Sequence, residues 1–379
     1  MPKVTIIIPV RNAERTLEKT FEYLLNIDYP RDDMEVILAD GGSTDRTVEI
    51  IKEKQAKYPF IKLVEVPNSK SPGHARNAAL KEAQGEFILF TDGDCAPEKD
   101  WVYRMLEAFE LDEKIGIVGG EILTLRTDPN NVTEAYCEQV GFLSVSGRCG
   151  VTESGYMPSI KKFRPHEVNG GDHCPFFATA NMAVRRAAAE DVGMQFWDEI
   201  TGEDVDFNIR IQKAGWKLYF KKEALVRHMH RVTLEAYMKQ WWGYGYGHPL
   251  LINKHARNEI EIVLQLPIIN KDVFLPPIPS PIKGIIHLGN FHFMHIFWLL
   301  FIIDIIFFHG LFTSPVPWIY LALAVFFTIL YFLPVLKLEP KEKWLEYAKI
   351  RYLTNYSFIK GSFVGQFKFG AISIEPSWK

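Results

Sequence analysis

Phe87-Ile88-Leu89-Phe90-Thr91-Asp92-Gly93-Asp94 decides how this chain is read. An apolar run stops at an Asp-Gly-Asp triplet, the pattern of a strand buried on both faces that ends at the edge of its sheet. Asp and Gly favour turns, so the triplet alone either closes the strand or presents two carboxylates to a hard cation such as Mg2+ or Mn2+. The flanking sequence repeats the design. Val4-Thr5-Ile6-Ile7-Ile8 is a β-branched run followed by Pro9, Val10, Arg11 and Asn12, and Glu35-Val36-Ile37-Leu38-Ala39 runs into Asp40-Gly41-Gly42-Ser43. A further strand is expected over 61–66, and helices over 13–26, 46–57 and 73–83, with Thr44 or Asp45 capping the second.

Strands alternating with helices of this length need crossover connections, which implies an α/β fold with a mostly parallel, Rossmann-like sheet and flanking helices. Ligands of such sheets bind beyond the carboxyl ends of the strands. Here those ends carry Val10-Arg11-Asn12, Asp40-Gly41-Gly42 and Asp92-Gly93-Asp94, a polar and acidic edge that favours the cation reading of the triplet. The chain has no G-x-x-x-x-G-K-[S/T] loop, and the first strand does not enter G-x-G-x-x-G. P-loop chemistry is thereby excluded and dinucleotide binding disfavoured.

A formal net charge of -3 over 379 residues leaves no basic excess for nucleic-acid phosphates. Cys95, Cys137, Cys149 and Cys174 are scattered, which reads as reduced thiols rather than a zinc site or a disulfide framework.

The blocks TIIIPVRNAERTL, EVILADGGSTDRT, SPGHARNAALKEAQGEFILFTDGDC, FFATANMAVRRAA and TGEDVDFNIRIQKAG occur in this order. Together they resemble family 2 glycosyltransferases of the GT-A fold, from residue 4 to about 250. The resemblance implies a donor site for a UDP- or GDP-sugar built from Pro9, Val10, Arg11, Asn12, Asp40, Gly42, Ser43, Arg76, Asp92 and Gly93. It implies that Asp94, with Asp92, holds the divalent metal. It also implies that Asp204 of the Glu203-Asp204 pair takes the acceptor's proton in an inverting displacement. By spacing alone Thr201 and Asp204 read as an N-cap and its capping-box partner, and the two roles can coexist. Asp206 is expected beside the site or solvated, Asn181 near the donor sugar or the sheet edge, and Arg185 and Arg186 structural or close to the acceptor.

His228 and His230 share one face of a late strand, and either is a candidate third metal ligand or an ordinary exposed histidine. Trp241 and Trp242, with Glu203, are assigned to the acceptor side. Their segment QWWGYGYG resembles the Q-x-x-R-W of processive family members only loosely, because the Arg is missing. Its aromatic rings suit sugar stacking or a membrane surface equally.

Two apolar stretches, 285–312 and 316–336, are long enough for a transmembrane hairpin, the alternative being a buried helix pair of a soluble domain. The expected organisation is a GT-A catalytic domain over 1–260, a Pro-rich linker over 261–284, the hairpin over 285–336 and a basic tail over 337–379. Within the tail, 342–352 is expected to lie on the membrane surface. Excess Lys and Arg after residue 336 place the tail and the catalytic domain in the cytoplasm. Asp304 is expected to pair within the hairpin or with a neighbouring copy, making the hairpin a route to a homo-oligomer. The expected activity is metal-dependent transfer from a nucleotide sugar to a hydroxyl of a lipid-linked or glycan acceptor at the membrane. The alternatives are a processive polysaccharide synthase, a nucleotidyltransferase making nucleotide sugars, and a catalytically degenerate membrane assembly protein. The second lacks its basic Gly-rich loop, and retention of Asp40, Asp92, Asp94 and Asp204 speaks against the third.

Overall fold

The computed structural model describes residues 3–171, 175–266, 268, 271–308 and 314–375; Cys174, Lys379 and most of the expected hairpin turn, 309–313, lie outside them. The chain divides into two compact units, Met1–Lys162 with Gly170–Arg231, and Phe163–Asn169 with Val232–Lys379.

Among the described residues the first unit builds a nine-stranded sheet. Its strands are β1 (Val4–Val10), β2 (Met34–Asp40), β3 (Ile61–Glu65), β4 (Phe87–Phe90), β5 (Cys95–Pro97), β6 (Ile115–Thr124), β7 (Gly155–Tyr156), β8 (Met182–Arg185) and β9 (Lys217–His228). The order is β3-β2-β1-β4-β8-β6-β9-β5, with β7 also on β9. The β3-β2-β1-β4 half is parallel, as expected. Beyond it β8 runs antiparallel to both β4 and β6, and β5 and β7 run antiparallel to β9, so the sheet is mixed rather than mostly parallel. Among the described strands of this sheet beyond β4 only β6 and β9 pair in parallel, although helices still separate β5 from β6 and β8 from β9.

Helices cover both faces. Ile6 and Ile8 of β1 pack with α1 (Glu14–Leu25), α2 (Thr47–Lys57) and α4 (Trp101–Glu110), through Leu17, Phe21, Ile51, Trp101 and Met105. Ile7 points to the opposite layer, which holds α3 (Pro72–Glu82) and α5 (Glu203–Lys213) through Ala75, Ala79, Phe207 and Ile211. Each Leu, Ile, Phe or Met among them, taken fully from water, contributes about 1.5–3 kcal/mol. Burial on both sides is why β1, β2 and β4 read as continuous apolar runs.

The second unit carries its own sheet, ordered β11-β10-β13-β14 with β12 on β10. The strands are β10 (Glu259–Leu266), β11 (Lys271–Phe274), β12 (Ile278–Pro279), β13 (Gly284–Leu288) and β14 (Ile372–Ile374). The expected linker, 261–284, therefore carries most of β10, all of β11 and β12 and the start of β13. The inward residues of β10 are Glu259, Glu261, Val263 and Gln265, so the alternation runs against hydropathy. The buried glutamates have partners: Arg164 Nε lies 2.5 Å and His166 Nδ1 2.8 Å from Glu261, and Arg257 Nη2 lies 2.7 Å from Glu259.

Because Ile285 and Ile286 belong to β13, the first apolar helix, α7 (Asn290–Ile303), starts later than 285. It continues as a π-helical turn, Asp304–Phe308, and α8 (Val316–Phe332) follows. Both are long and apolar enough to cross a membrane, and the rest of the chain covers only 11% and 22% of them, unlike a soluble core pair. They pack on each other through the stacked rings of Phe297 and Phe327, 5.5 Å apart, and a Trp298-to-Thr328 hydrogen bond of 3.1 Å. The Asp304 carboxylate has no hydrogen-bond or ionic partner among the described residues, so the pairing expected within the hairpin is not seen there.

The described part of the tail, 337–375, is folded. Its helix α9 (Trp344–Phe369) lies against α6 (Leu234–His255), and β14 completes the sheet. A Cβ at Gly245 would lie 2.0 Å from the Phe358 carbonyl oxygen, and one at Gly361 2.0 Å from that of Trp242. Glycine therefore sets a backbone-to-backbone crossing here.

Candidate functional site

The first unit's strand ends are laced together by their own polar groups. The Asp40 carboxylate, 3% exposed, accepts from the backbone N–H groups of Gly42 and Ser43, both at 3.0 Å. Asn12, at φ 51°, donates its N–H to Ser43 Oγ at 2.8 Å and accepts from Thr44 N–H at 2.8 Å. Pro9 and Val10 close β1, and Arg11 extends into solvent. Asp40 is thus a loop organiser, and Arg11 is an accessible cation of this edge.

The Asp92-Gly93-Asp94 turn sits beside them. Thr16 and Thr20 of α1 donate to the Gly93 carbonyl at 2.7 and 3.1 Å, which fixes the turn to the helix after β1. Cys95 then pairs with His228 across β5 and β9. That register sets His228 Nε2 3.4 Å from Asp94 Oδ1, with Arg231 Nη1 3.6 Å from Oδ2. Ligand atoms of Asp94, Cys95 and His228 lie within 4.8 Å of one another. Burial, then the charges of Asp94 and Asp92, push the Cys95 thiol well up, so it stays protonated and is a poor ligand. The carboxylate left over suits Mn2+ or Mg2+, and the imidazole beside it favours Mn2+ over the harder Mg2+.

His228 and His230 do not share this position. His230 is 1% exposed, its Nε2 lies 2.9 Å from Thr124 Oγ1, and burial pushes it down to about 2, so it is a neutral packed ring. It stacks on His228 at 4.8 Å, behind the donor set.

The two acidic motifs meet through Arg76. This guanidinium, 3% exposed, donates to Asp92 Oδ1 at 2.9 Å and to Glu203 Oε1 at 2.7 Å. Breaking such a buried pair from one side costs about 3–5 kcal/mol. Burial and the Asp94 charge raise Asp92 despite Arg76. Glu203 opens α5, and Asp204 follows it. Burial, then the charge of Glu203, push Asp204 up to about 7. Thr201 is not the cap. Gly202 holds the N-cap position at φ 75°, where an L side chain is strained, and no side chain caps the helix. With that position taken by glycine, the capping-box reading of Asp204 falls away.

Several expected site residues are structural. Asp206 is fully buried against Arg210 Nε at 2.8 Å, so it is not solvated. Asn181 donates to the Glu121 and Ala224 carbonyls at 2.8 Å and accepts from Trp101 Nε1 at 2.8 Å, joining β6 to β9. Arg185 and Arg186 cap main-chain carbonyls of Ile115, Phe109, Gly85 and Ala83. Glu203 faces Arg76 and is buried, which removes the basis for an acceptor-side role. Trp241 and Trp242 belong to the second unit, where Trp241 is 3% exposed and edges onto Phe358 while Trp242 stacks on Tyr246. Sequence reasoning missed Arg231, Thr16 and Thr20. Arg231 follows the histidine pair directly, and a cation three residues from His228 was the available signal.

Residues 5–193 match the family described as "Glycosyl transferase family 2". The probable glycosyltransferase YdaM of Bacillus subtilis (strain 168) is 29% identical over 248 residues, 64% of this chain and 53% of that protein. This chain thus spans about half the length of that relative. The Methanococcus voltae dolichyl N-acetyl-alpha-D-glucosaminyl phosphate 3-beta-D-2,3-diacetamido-2,3-dideoxy-beta-D-glucuronosyltransferase is 28% identical over 256 residues, 66% of this chain and 74% of that protein. Among solved structures, the mannosyltransferase PcManGT of Pyrobaculum calidifontis, in complex with GDP-Man and Mn2+, aligns at 20% identity and a TM-score of 0.48. That alignment covers 68% of this chain and 65% of that one.

Proposed function

Because this chain belongs to glycosyltransferase family 2 and is a glycosyltransferase, we propose that its first unit moves a sugar, with inversion, from a nucleoside-diphosphate donor to an acceptor hydroxyl. The observation that carries the reading is the Asp92–Arg76–Glu203 connection, which ties the Asp-Gly-Asp turn to the start of α5, where Asp204 is raised to about 7. A base must be ionised often enough to accept a proton and basic enough to hold it, and a pKa near the working pH serves both.

In this reading the acceptor hydroxyl oxygen bonds to the anomeric carbon as the bond from that carbon to the donor phosphate oxygen breaks. The hydroxyl proton goes to the Asp204 carboxylate, and the electron pair of the broken bond leaves with the nucleoside diphosphate. Asp94 and His228, with Asp92, would hold a divalent cation, Mn2+ or Mg2+, which when bound neutralises diphosphate charge. Arg11 and Arg231 supply further positive charge along the same edge. The acceptor is taken to be lipid-linked, at the cytoplasmic face of a membrane. Its support is the apolar pair α7 and α8, and a relative whose name opens with a dolichyl sugar phosphate.

The test is a panel of UDP- and GDP-sugars assayed for donor binding and for transfer, with and without Mn2+. Asp204→Asn is expected to keep donor affinity and lose roughly 10²–10⁴-fold in turnover, the usual range for a general base. Asp94→Ala is expected to lose the Mn2+-dependent part of donor binding. Undiminished turnover in Asp204→Asn removes that residue as the base. Unchanged Mn2+-dependent affinity in Asp94→Ala removes the ligand role.

A further inference from the structure

Helix α9 has two faces of opposite character. One is buried, through Tyr347, Thr354, Phe358, Gly361 and Gly365, with the last two against the main chain of α6. On the other side Leu345, Lys349, Tyr356, Lys360, Phe363 and Phe367 fall within an arc of about 60°, at 3.6 residues per turn. The apolar members of that stripe are bare, with Phe367 79% and Leu345 62% exposed, and the rings of Phe363 and Phe367 touch at 5.0 Å. No acidic residue interrupts it.

Two further observations say what covers the stripe. The helix is fastened to one end of the apolar pair: Arg351 Nε donates to the Tyr331 carbonyl at 3.0 Å, Tyr331 hydroxyl donates to the Arg351 carbonyl at 3.0 Å, and Tyr352 hydroxyl lies 3.1 Å from His295 Nε2. His295 is near the start of α7 and Tyr331 near the end of α8, so α9 lies where both apolar helices end. It also carries Lys349, Arg351, Lys360 and Lys368 against the single acid Glu346. Lysines among bare aromatic rings can bury their stems and lift their ammonium groups to an anionic surface. Two copies meeting through this stripe would instead set Lys349 and Lys360 against like charges.

We propose that this stripe is a third lipid-contact surface, seated in the headgroup layer of an anionic bilayer with the rings of Tyr356, Phe363 and Phe367 at the acyl boundary. The inference rests on the membrane reading of α7 and α8. It differs from a third span, because α9 keeps its other face on α6 and is far more charged than either apolar helix.

The full chain, reconstituted in vesicles of phosphatidylcholine and phosphatidylglycerol, tests this by photo-crosslinking. Benzoylphenylalanine replaces Phe363, Phe367 or, on α7, the exposed Leu299. After irradiation all three variants are expected to gain the mass of one phospholipid. If Leu299 labels while Phe363 and Phe367 yield only cross-linked protein dimers or no adduct, the stripe does not face lipid and the proposal falls alone. If Leu299 also fails to label, the membrane reading of the apolar pair falls and takes this proposal with it.

Discussion

A carboxylate with a pKa near 7 is half ionised at neutral pH, and Asp204 reaches that state through burial and the neighbouring charge of Glu203. As a base it works in its ionised form, so kcat/KM should climb with pH through about 7 and then level, whereas an ordinary Asp would level by about pH 5. Glu203→Gln removes the charge that holds Asp204 up and frees Arg76, whose charge lowers it. Both effects have one sign. The acid limb of the profile should therefore move to lower pH in Glu203→Gln, and an unmoved limb assigns it to another group. Stability runs the opposite way. A carboxyl whose folded pKa lies above its unfolded value contributes stability that is full below about pH 4 and lost as pH rises through about 7. The ionised, working form of Asp204 is thus the destabilising one. Asp204→Asn should raise the Tm at pH 8 while cutting transfer, a pairing that calorimetry and a transfer assay read separately.

At the scale of elements, what was legible depended on whether burial agreed with hydropathy. The first, second and fourth strands are apolar on both faces, and their polar ends lie where the α/β pattern puts them. The start of α5 was misread because Thr201 fits a capping rule, whereas the chain turns there through Gly202 in a left-handed conformation. Strand β10 was invisible because its inward side chains include two glutamates, held inside by partners that hydropathy does not show, Arg164 and His166 far away in sequence and Arg257 just before the strand. The glycines of QWWGYGYG were read for their aromatic neighbours, yet Gly245 serves the crossing of α6 and α9. That crossing has a measurable consequence. In Gly361→Val the new Cβ would sit 2.0 Å from the Trp242 carbonyl oxygen, and main chain cannot yield as a side-chain tip does. Overpacking of this kind costs about 1–3 kcal/mol or more. Thermal unfolding of the detergent-solubilised chain should show a lowered Tm, and an unchanged one means that the helices do not cross this closely.

For the molecule as a whole, the question is what solvent each unit meets. The first unit buries its apolar side chains in two layers about its sheet. The second leaves Leu299, Ile306, Phe307, Trp318 and Ile329 all more than half exposed on α7, its π-helical extension and α8. Left in water, each would forfeit most of the roughly 1.5–3 kcal/mol its burial provides. No charged surface elsewhere repays that loss, because the effect scales with apolar area and not with net charge. The two helices therefore call for an apolar surrounding, and a bilayer meets their length of about 20 residues. The pair should then behave as a span and not as an electrostatic attachment. High salt and alkaline carbonate, which strip proteins held by charge, should leave the full chain in the membrane pellet, and detergent should release it. Release by carbonate alone would mean that the exposed faces of α7 and α8 are covered by protein instead, and the lipid-linked acceptor would lose its main support.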